Sequence, residues 1–251
     1  MRDTPPDTLQ LVSVPDVILV FPVYNEEEIV VQVVKEWLEV LDGMSMPYRL
    51  QMCNDGSTDS TAEKLDTLSH RCLEIHHTRN RGHGPTILRA YRAAAERAAW
   101  VFQCDSDGQM QAKDFPAFWN RRLSADLIIG TRIHRQDGRI RDLISGALRV
   151  CTLLLFGKGI PDVNCPYRLM RSEAFRPLFD QAPEDTFAPN VLLSGYAIRK
   201  KLRIINLPIS DRVRQTGEAS IRGWSLLNAV QKATRQTLAY RFSKKPDSSS
   251  I

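Results

Sequence analysis

One pattern constrains this chain more than any other. A short unbroken apolar run, a polar turn and a helical pattern follow one another, and the set then repeats. Residues 17–21 are continuously apolar and stop at Pro22. A run of that kind suits a strand buried on both faces, as in a parallel sheet, better than a half-exposed strand with alternating polarity. Asn25 then stands as an N-cap, with Glu28 three residues on to close a capping box, and the acids Glu26, Glu27 and Glu28 suit the positive end of a helix dipole. Ile29, Val33, Trp37, Val40 and Leu41 continue at helical spacing. The unit recurs with a strand at 50–53, a turn at 55–59 and a helix to about residue 69. It recurs again as a strand at 73–77, a Gly-rich turn and an Ala-rich helix at 85–99. A strand at 100–104 runs into Asp105-Ser106-Asp107, and another lies at 127–129. Strands separated by helices require right-handed crossovers, so the fold class is α/β, with a mostly parallel, Rossmann-like sheet flanked by helices.

The second half is less regular. Residues 143–156 and 172–179 read as helices, 203–209 as a strand, and 223–242 as an amphipathic helix. The tail 243–251 is polar and Ser-rich and is expected to be disordered. With 251 residues, 43% of them hydrophobic, the chain suits one domain over 1–242 better than two. The five cysteines are odd in number and form no C-x-x-C pair, which points away from a disulfide or zinc framework and toward a reducing cytosol. Residues 1–10 contain no apolar stretch of the signal-peptide kind. The longest apolar stretch, 143–157, is interrupted by Arg149 and falls short of the roughly 20 residues that span a bilayer, though it could lie on one. A net charge of +5 suits an anionic membrane surface, a phosphorylated substrate or nucleic acid. Nucleic acid is not expected, because the basic residues lack the interleaved aromatics of a single-strand groove.

In open parallel sheets, ligands bind beyond the carboxyl ends of the strands. Three of those ends carry distinctive residues: Pro22-Val23-Tyr24-Asn25-Glu26, Asn54 through Asp59, and Asp105-Ser106-Asp107. Asp105 and Asp107 are two apart, and in extended backbone they would face the same way. Two such carboxylates repel unless a cation lies between them, and a hard ion with oxygen ligands, Mg²⁺ or Mn²⁺, would suit, with Gln109 as a further oxygen in reach. The alternative is a turn in which the carboxylates cap backbone amides.

These motifs, written PVYNEE at 22–27, NDGSTD at 54–59 and DSDGQ at 105–109, resemble those of the family-two inverting glycosyltransferases of GT-A fold. The resemblance extends through GTR at 130–132, D-x-x-C-P-Y-R-L at 162–169 and R-Q-T-G-E at 214–218, and is greatest to the polyprenyl-phosphate sugar synthases, which include dolichol-phosphate mannose synthase. It implies a nucleotide-sugar-binding half at about 15–131 and an acceptor-binding half at about 132–242. It further implies that Pro22, Tyr24 and Glu26 line a nucleoside pocket and that Asp55 accepts a hydrogen bond from the base of a GDP- or UDP-linked donor. Asp105, Asp107 and Gln109 would hold the metal on the diphosphate, and Arg214 would reach over the donor phosphates. The chain departs from many relatives in having Asn54 where they have an acid, which removes any role needing charge there.

Arg132, Arg135, Arg139 and Arg141 lie within ten residues, and Ser145 falls one helical turn after Arg141. Guanidinium forks match phosphate. The resemblance implies that Arg132, Arg141 and Ser145 hold a polyprenyl phosphate acceptor, which places the chain peripherally on the cytoplasmic face of a membrane. The helix at 223–242, with Trp224 and Leu227 against Lys232 and Arg235, would then lie in the interface. Such amphipathic helices could equally complete the core or a homo-oligomer contact. Two rival readings stand beside this one. In the first, the acceptor is a saccharide hydroxyl, with Asp185 of the Glu184-Asp185 pair as base; that pair could instead cap a helix over 186–194. In the second, the chain is a non-catalytic nucleotide-sugar binder, for which the metal set would be superfluous.

Overall fold

A computed structural model describes residues 14–132 and 160–212. Strand β1 (Val17–Val23) is buried along its whole length, as its unbroken apolar run requires. It is followed by α1 (Val30–Asp42), β2 (Tyr48–Asn54), α2 (Thr61–Asp66), β3 (Leu73–His77), α3 (His83–Arg97) and β4 (Trp100–Gln103). Then come α4 (Phe115–Arg121), β5 (Leu127–Arg132), β6 (Arg168–Arg171), α5 (Ser172–Gln181), α6 (Pro189–Arg199) and β7 (Ile204–Ile209). The strands form one seven-stranded sheet in the order β3-β2-β1-β4-β6-β5-β7. All neighbours are parallel except β6, which runs antiparallel to both β4 and β5.

The two faces of the sheet are legible from β4, where successive side chains must point oppositely. Phe102 meets Trp37 of α1 with ring centroids 5.4 Å apart, and the Phe115 and Tyr167 rings join them. Its neighbour Gln103 meets Tyr91 of α3 on the other face. Tyr91 in turn stacks on Phe179 of α5 at 5.4 Å, and Phe175 touches Tyr196 of α6. Helices α1 and α3 therefore clamp the sheet from opposite sides. Helix α1 does so with the stripe Val30, Val33, Val34, Trp37 and Leu41, each large side chain contributing about 2 kcal/mol through burial.

Two local expectations are corrected. Asn25 does not cap α1: the N-cap is Ile29, no side chain caps the helix, and its first turn has no acid. Asn25 has φ 55°, and its side-chain oxygen accepts the Thr58 amide at 2.8 Å instead. A contact to the neighbouring loop has outcompeted the local cap. The Glu184-Asp185 pair is not a helix cap either, because α6 begins at Pro189 with Ala188 as N-cap, and Pro is preorganised for the first helical position. Helix α4 and strand β6 were not expected from the sequence. The helices expected at 143–156 and 223–242, and the tail 243–251, lie outside the described residues. Among the described residues, no helix is long and apolar enough to cross a membrane, and Cys53, Cys72, Cys104 and Cys165 are free thiols.

Candidate active site

The loops after β1 and β2 are one interlocked unit at the carboxyl edge of the sheet. The Asn25 amide donates to Ser57 Oγ at 3.0 Å, the Glu26 amide to Thr61 Oγ1 at 2.9 Å and the Glu27 amide to Asp59 Oδ2 at 3.2 Å. The Ser60 amide returns a bond to Glu27 Oε2 at 3.0 Å. Of the three residues expected to line the nucleoside pocket, Pro22 is buried within β1, Glu26 is buried, and Tyr24 is 42% exposed. A proline is tolerated at position 22 because the pairing of β1 with β4 ends at Val20. Asn54 is buried and uncharged for a visible reason. Its Oδ1 accepts both the Ser57 amide at 3.1 Å and the Ser57 hydroxyl at 2.6 Å, while its Nδ2 sits 3.0 Å from His77 Nδ1.

Asp55 is 3% exposed, and its carboxylate already serves the protein. Oδ1 accepts the Arg81 amide at 2.8 Å and the Thr86 hydroxyl at 2.7 Å; Oδ2 accepts the Gly82 amide at 2.9 Å. The residue ties the β2 turn to the loop before α3 and to the first turn of that helix. Gly56 must be glycine here: φ is +69°, and a Cβ would come within 2.6 Å of the Asn80 nitrogen. Asp55→Ala would leave these donors without their carboxylate, and the expected loss of stability is on the order of 3 kcal/mol. Urea denaturation should show that loss, with weaker binding of UDP or GDP by titration calorimetry. A variant as stable as the wild type would mean that these bonds carry no net weight.

The third motif follows β4. The backbone bends at Ser106–Gly108 rather than staying extended, so the i, i+2 alignment expected of Asp105 and Asp107 does not arise from strand geometry. The bend is held by the Ser106 hydroxyl donating to the Pro22 carbonyl at 2.8 Å and by the Gln109 amide donating to Asp107 Oδ1 at 3.1 Å. Gly108 turns the chain at φ +70°, with a Cβ position only 3.1 Å from Ile29. Both carboxylates act on the preceding cysteine: after burial, Asp105 and Asp107 are the next largest influences raising the Cys104 thiol well above its ordinary pKa. Burial likewise pushes the Cys165 thiol up to about 12, so without a bound ion both sulfurs are neutral thiols at neutral pH. Among the described residues, no three His, Cys, Asp or Glu gather as a protein-only metal cage. The donors expected from the sequence, two half-buried carboxylates and the side-chain oxygen of Gln109, are all oxygen. That chemistry fits Mg²⁺ or Mn²⁺ shared with substrate phosphates.

The second half closes on this loop. The Arg212 amide donates to the Gln109 carbonyl at 2.8 Å, and its guanidinium pairs with Glu36 at 2.9 Å. Arg214 lies two residues beyond that anchor, outside the described residues, as do Arg135, Arg139, Arg141 and Ser145. Arg132 is described, and the structure pairs it with Asp162, its Nε 2.9 Å from Oδ2. The pair joins the GTR motif to the start of D-x-x-C-P-Y-R-L. Asp185 is exposed in the turn before α6. That turn packs against the amino end of α3, where a Cβ on Gly84 would collide with the carbonyl oxygens of Thr186 and Phe187. Asp185 therefore stands at the end of the molecule that also holds the Asp55 turn.

Sequence reasoning missed Arg168. It is fully buried, and its donors reach the carbonyls of Cys165 at 2.9 Å, Asn190 at 3.0 Å and Val163 at 3.2 Å. The motif holding it was visible, but its partners come from loops that only the fold brings together.

The sequence model of glycosyl transferase family 2 matches residues 18–179, from β1 into α5. Undecaprenyl-phosphate 4-deoxy-4-formamido-L-arabinose transferase of Edwardsiella ictaluri is 27% identical over 232 residues, covering 89% of this chain and 66% of that protein. This chain thus spans just under two thirds of that relative's length. Undecaprenyl-phosphate mannosyltransferase of Micrococcus luteus is 27% identical over 200 residues, covering 75% of this chain and 82% of that one. Among solved structures, glucosyl-3-phosphoglycerate synthase from Mycobacterium tuberculosis in complex with phosphoglyceric acid superposes with a TM-score of 0.64 at 18% identity, over 90% of this chain and 80% of that one. The same enzyme with Mn²⁺, UDP and glucosyl-3-phosphoglycerate gives 0.63 at 16%, over 96% and 86%. At such identities the likeness concerns the fold, which is the GT-A arrangement.

Proposed function

The chain belongs to glycosyl transferase family 2, and from that premise we propose that it moves a sugar from a nucleoside-diphosphate sugar to a polyprenyl phosphate at a membrane surface. The observation that carries this reading is the convergence at one sheet edge of the interlocked β1 and β2 loops with the oxygen-only Asp105-Asp107-Gln109 turn. The named relatives supply the acceptor, since both are undecaprenyl-phosphate transferases. The Mn²⁺ and UDP of the M. tuberculosis synthase complex support a divalent ion and a nucleotide-sugar donor.

In this reading Tyr24 covers the nucleoside, with Glu26 buried behind it, and the loop that Asp55 holds forms the pocket wall. Asp55 itself reaches the base only beside the three donors it already serves. Asp105, Asp107 and Gln109 would hold Mg²⁺ or Mn²⁺, which when bound neutralises charge on the departing diphosphate. Arg214 follows the Arg212 anchor on the Gln109 carbonyl and would add positive charge over the same phosphates. The acceptor oxygen attacks the anomeric carbon as the bond to the nucleoside diphosphate breaks, with inversion there. A phosphate monoester with a second pKa near 6 is already ionised at neutral pH, so it needs orientation rather than a base. Arg141 and Ser145 would provide it, with Arg132 contributing from its ion pair with Asp162.

The test is a donor screen with undecaprenyl phosphate, scored by transfer of radiolabelled sugar from GDP- and UDP-linked donors into an organic extract. Label should appear there with one nucleotide class and vanish in EDTA. Label that appears only on water-soluble saccharides would transfer the assignment to a hydroxyl acceptor. A second reading of that kind rests on the position of the Asp185 turn against Gly84. Membrane action carries its own expectation. The chain should sediment with liposomes, more strongly when they contain anionic lipid, and salt should release it. Sedimentation indifferent to lipid charge and salt would remove the membrane from the proposal.

A further inference from the structure

Beneath Asp105 the sheet buries a polar chain that the reaction above does not use. Gln103, the last residue of β4, is fully buried, and so are Tyr91 of α3 and Arg168 of β6; Asn190 of α6 is 4% exposed. Gln103 and Arg168 are partners in the antiparallel register of β4 and β6. The Tyr91 hydroxyl donates to Gln103 Oε1 and lies 3.0 Å from the side-chain oxygen of Asn190. Gln103 Nε2 then donates to Asp105 Oδ1 at 3.4 Å. At the far end, Arg168 Nη1 donates to the Asn190 carbonyl at 3.0 Å.

The direction of this chain follows from counting protons. A tyrosine hydroxyl has one, and it cannot serve both Gln103 Oε1 and Asn190 Oδ1. Turning the Asn190 amide by 180° supplies Nδ2–H to the tyrosine oxygen, and amide orientation is set by such networks. Every donor then points the same way, from Asn190 to Tyr91 to Gln103 to Asp105. Tyr91 thus decides which end of the Gln103 amide faces the carboxylate. Without the hydroxyl, nothing on that side stops Gln103 from presenting its oxygen to an anion.

We propose that Tyr91 and Gln103 form a positioning relay that holds the Asp105 carboxylate in place for a divalent cation, with Asn190 and Arg168 as its anchor. The inference rests on the metal-dependent reading of Asp105 and Asp107. Groups behind a metal ligand act by fixing its orientation, and their loss typically weakens metal affinity 10- to 100-fold. The anchor suits its task because, among the described residues, the hydrogen bonds of the buried Arg168 cation go to carbonyls, while Asp162 and Asp105 supply negative charge at longer range. None of the four residues needs to touch the sugar or the nucleotide.

The experiment is Mn²⁺ titration by electron paramagnetic resonance on the full chain with UDP or GDP present. Calorimetric titration of the same nucleotide in EDTA and thermal melting run in parallel. Tyr91→Phe keeps the ring stacked on Phe179 and removes only the hydroxyl. Gln103→Met keeps the length of the side chain and removes the amide, which covers the case in which one variant does not fold. Each is expected to weaken Mn²⁺ binding about 10-fold or more, with metal-free nucleotide affinity unchanged. A purely structural role would instead lower the melting temperature and nucleotide affinity together and leave the Mn²⁺ constant of the folded fraction at the wild-type value, and that result overturns the relay. Folded variants that bind Mn²⁺ as tightly as the wild type overturn it as well, while the metal-dependent reading stands. A wild-type chain that binds no Mn²⁺ with either nucleotide overturns both.

Discussion

Asp105→Asn and Asp107→Asn should each reduce sugar transfer by a factor on the order of 10² to 10³, the usual cost of removing one preorganised electrostatic contact from a transition state. Neither should unfold the protein. Asp107 Oδ1 holds the turn by accepting the Gln109 amide, and an asparagine oxygen can accept the same bond. Asp105 receives only the long contact from Gln103 among its described hydrogen bonds to side chains. The change therefore removes charge and leaves geometry. What it takes away is the pair of formal charges that would hold a cation against the diphosphate as the bond to the sugar breaks. Transfer of radiolabelled sugar, measured beside thermal melting, separates the two effects. Full activity in EDTA, or in either variant, would return the motif to the alternative role of a turn whose carboxylates cap amides. The capping bond is present at Asp107 Oδ1, and a carboxylate has lone pairs for both an amide and a cation, so charge removal and EDTA tell the two roles apart.

The parts of the fold legible in the sequence were those written in consecutive residues. The apolar run before Pro22 and the Ala-rich stretch after the Gly-rich turn became β1 and α3 because period and burial are local signals. The three polar clusters were placed on one edge by topology alone, since parallel strands end on the same side. Where a residue has a partner far away in the chain, no local pattern announces it. Asn25 had every local qualification for an N-cap, yet Thr58 holds its side chain. Arg132 read as one of a cluster of phosphate ligands, and its guanidinium meets Asp162 thirty residues on. Asp55 read as a base acceptor, and its carboxylate is engaged by Arg81, Gly82 and Thr86. Strand β6 is four residues long and enters the sheet between β4 and β5 against their direction. No periodicity in so short a segment announces that insertion, and Arg168, which depends on it, was invisible as a network member for the same reason.

The acceptor class divides on two residues, Arg141 and Asp185, and the divided outcome should be large. If the acceptor is a lipid phosphate, the attacking oxygen is already ionised, and Asp185 has no proton to remove. Asp185→Asn should then lower turnover only modestly. Arg141→Ala should raise the apparent KM for the acceptor sharply, because a charge-assisted contact to phosphate is lost. Slow hydrolysis of the donor in water should survive that substitution, since the loops after β1, β2 and β4 are untouched. If the acceptor is a saccharide hydroxyl, Asp185→Asn should instead cost roughly 10² to 10⁴ in rate, the range for losing a general base, and Arg141→Ala should matter little. The structure gives the second outcome a physical footing, because the turn carrying Asp185 is pressed on the amino end of α3, beside the loop that Asp55 organises. Asp185 is exposed, and asparagine keeps the size of its side chain. Both variants should be assayed with both acceptors once circular dichroism shows them folded. A large Asp185 effect beside a negligible Arg141 effect would end the polyprenyl-phosphate assignment, while leaving intact the donor half of the site and the family to which the chain belongs.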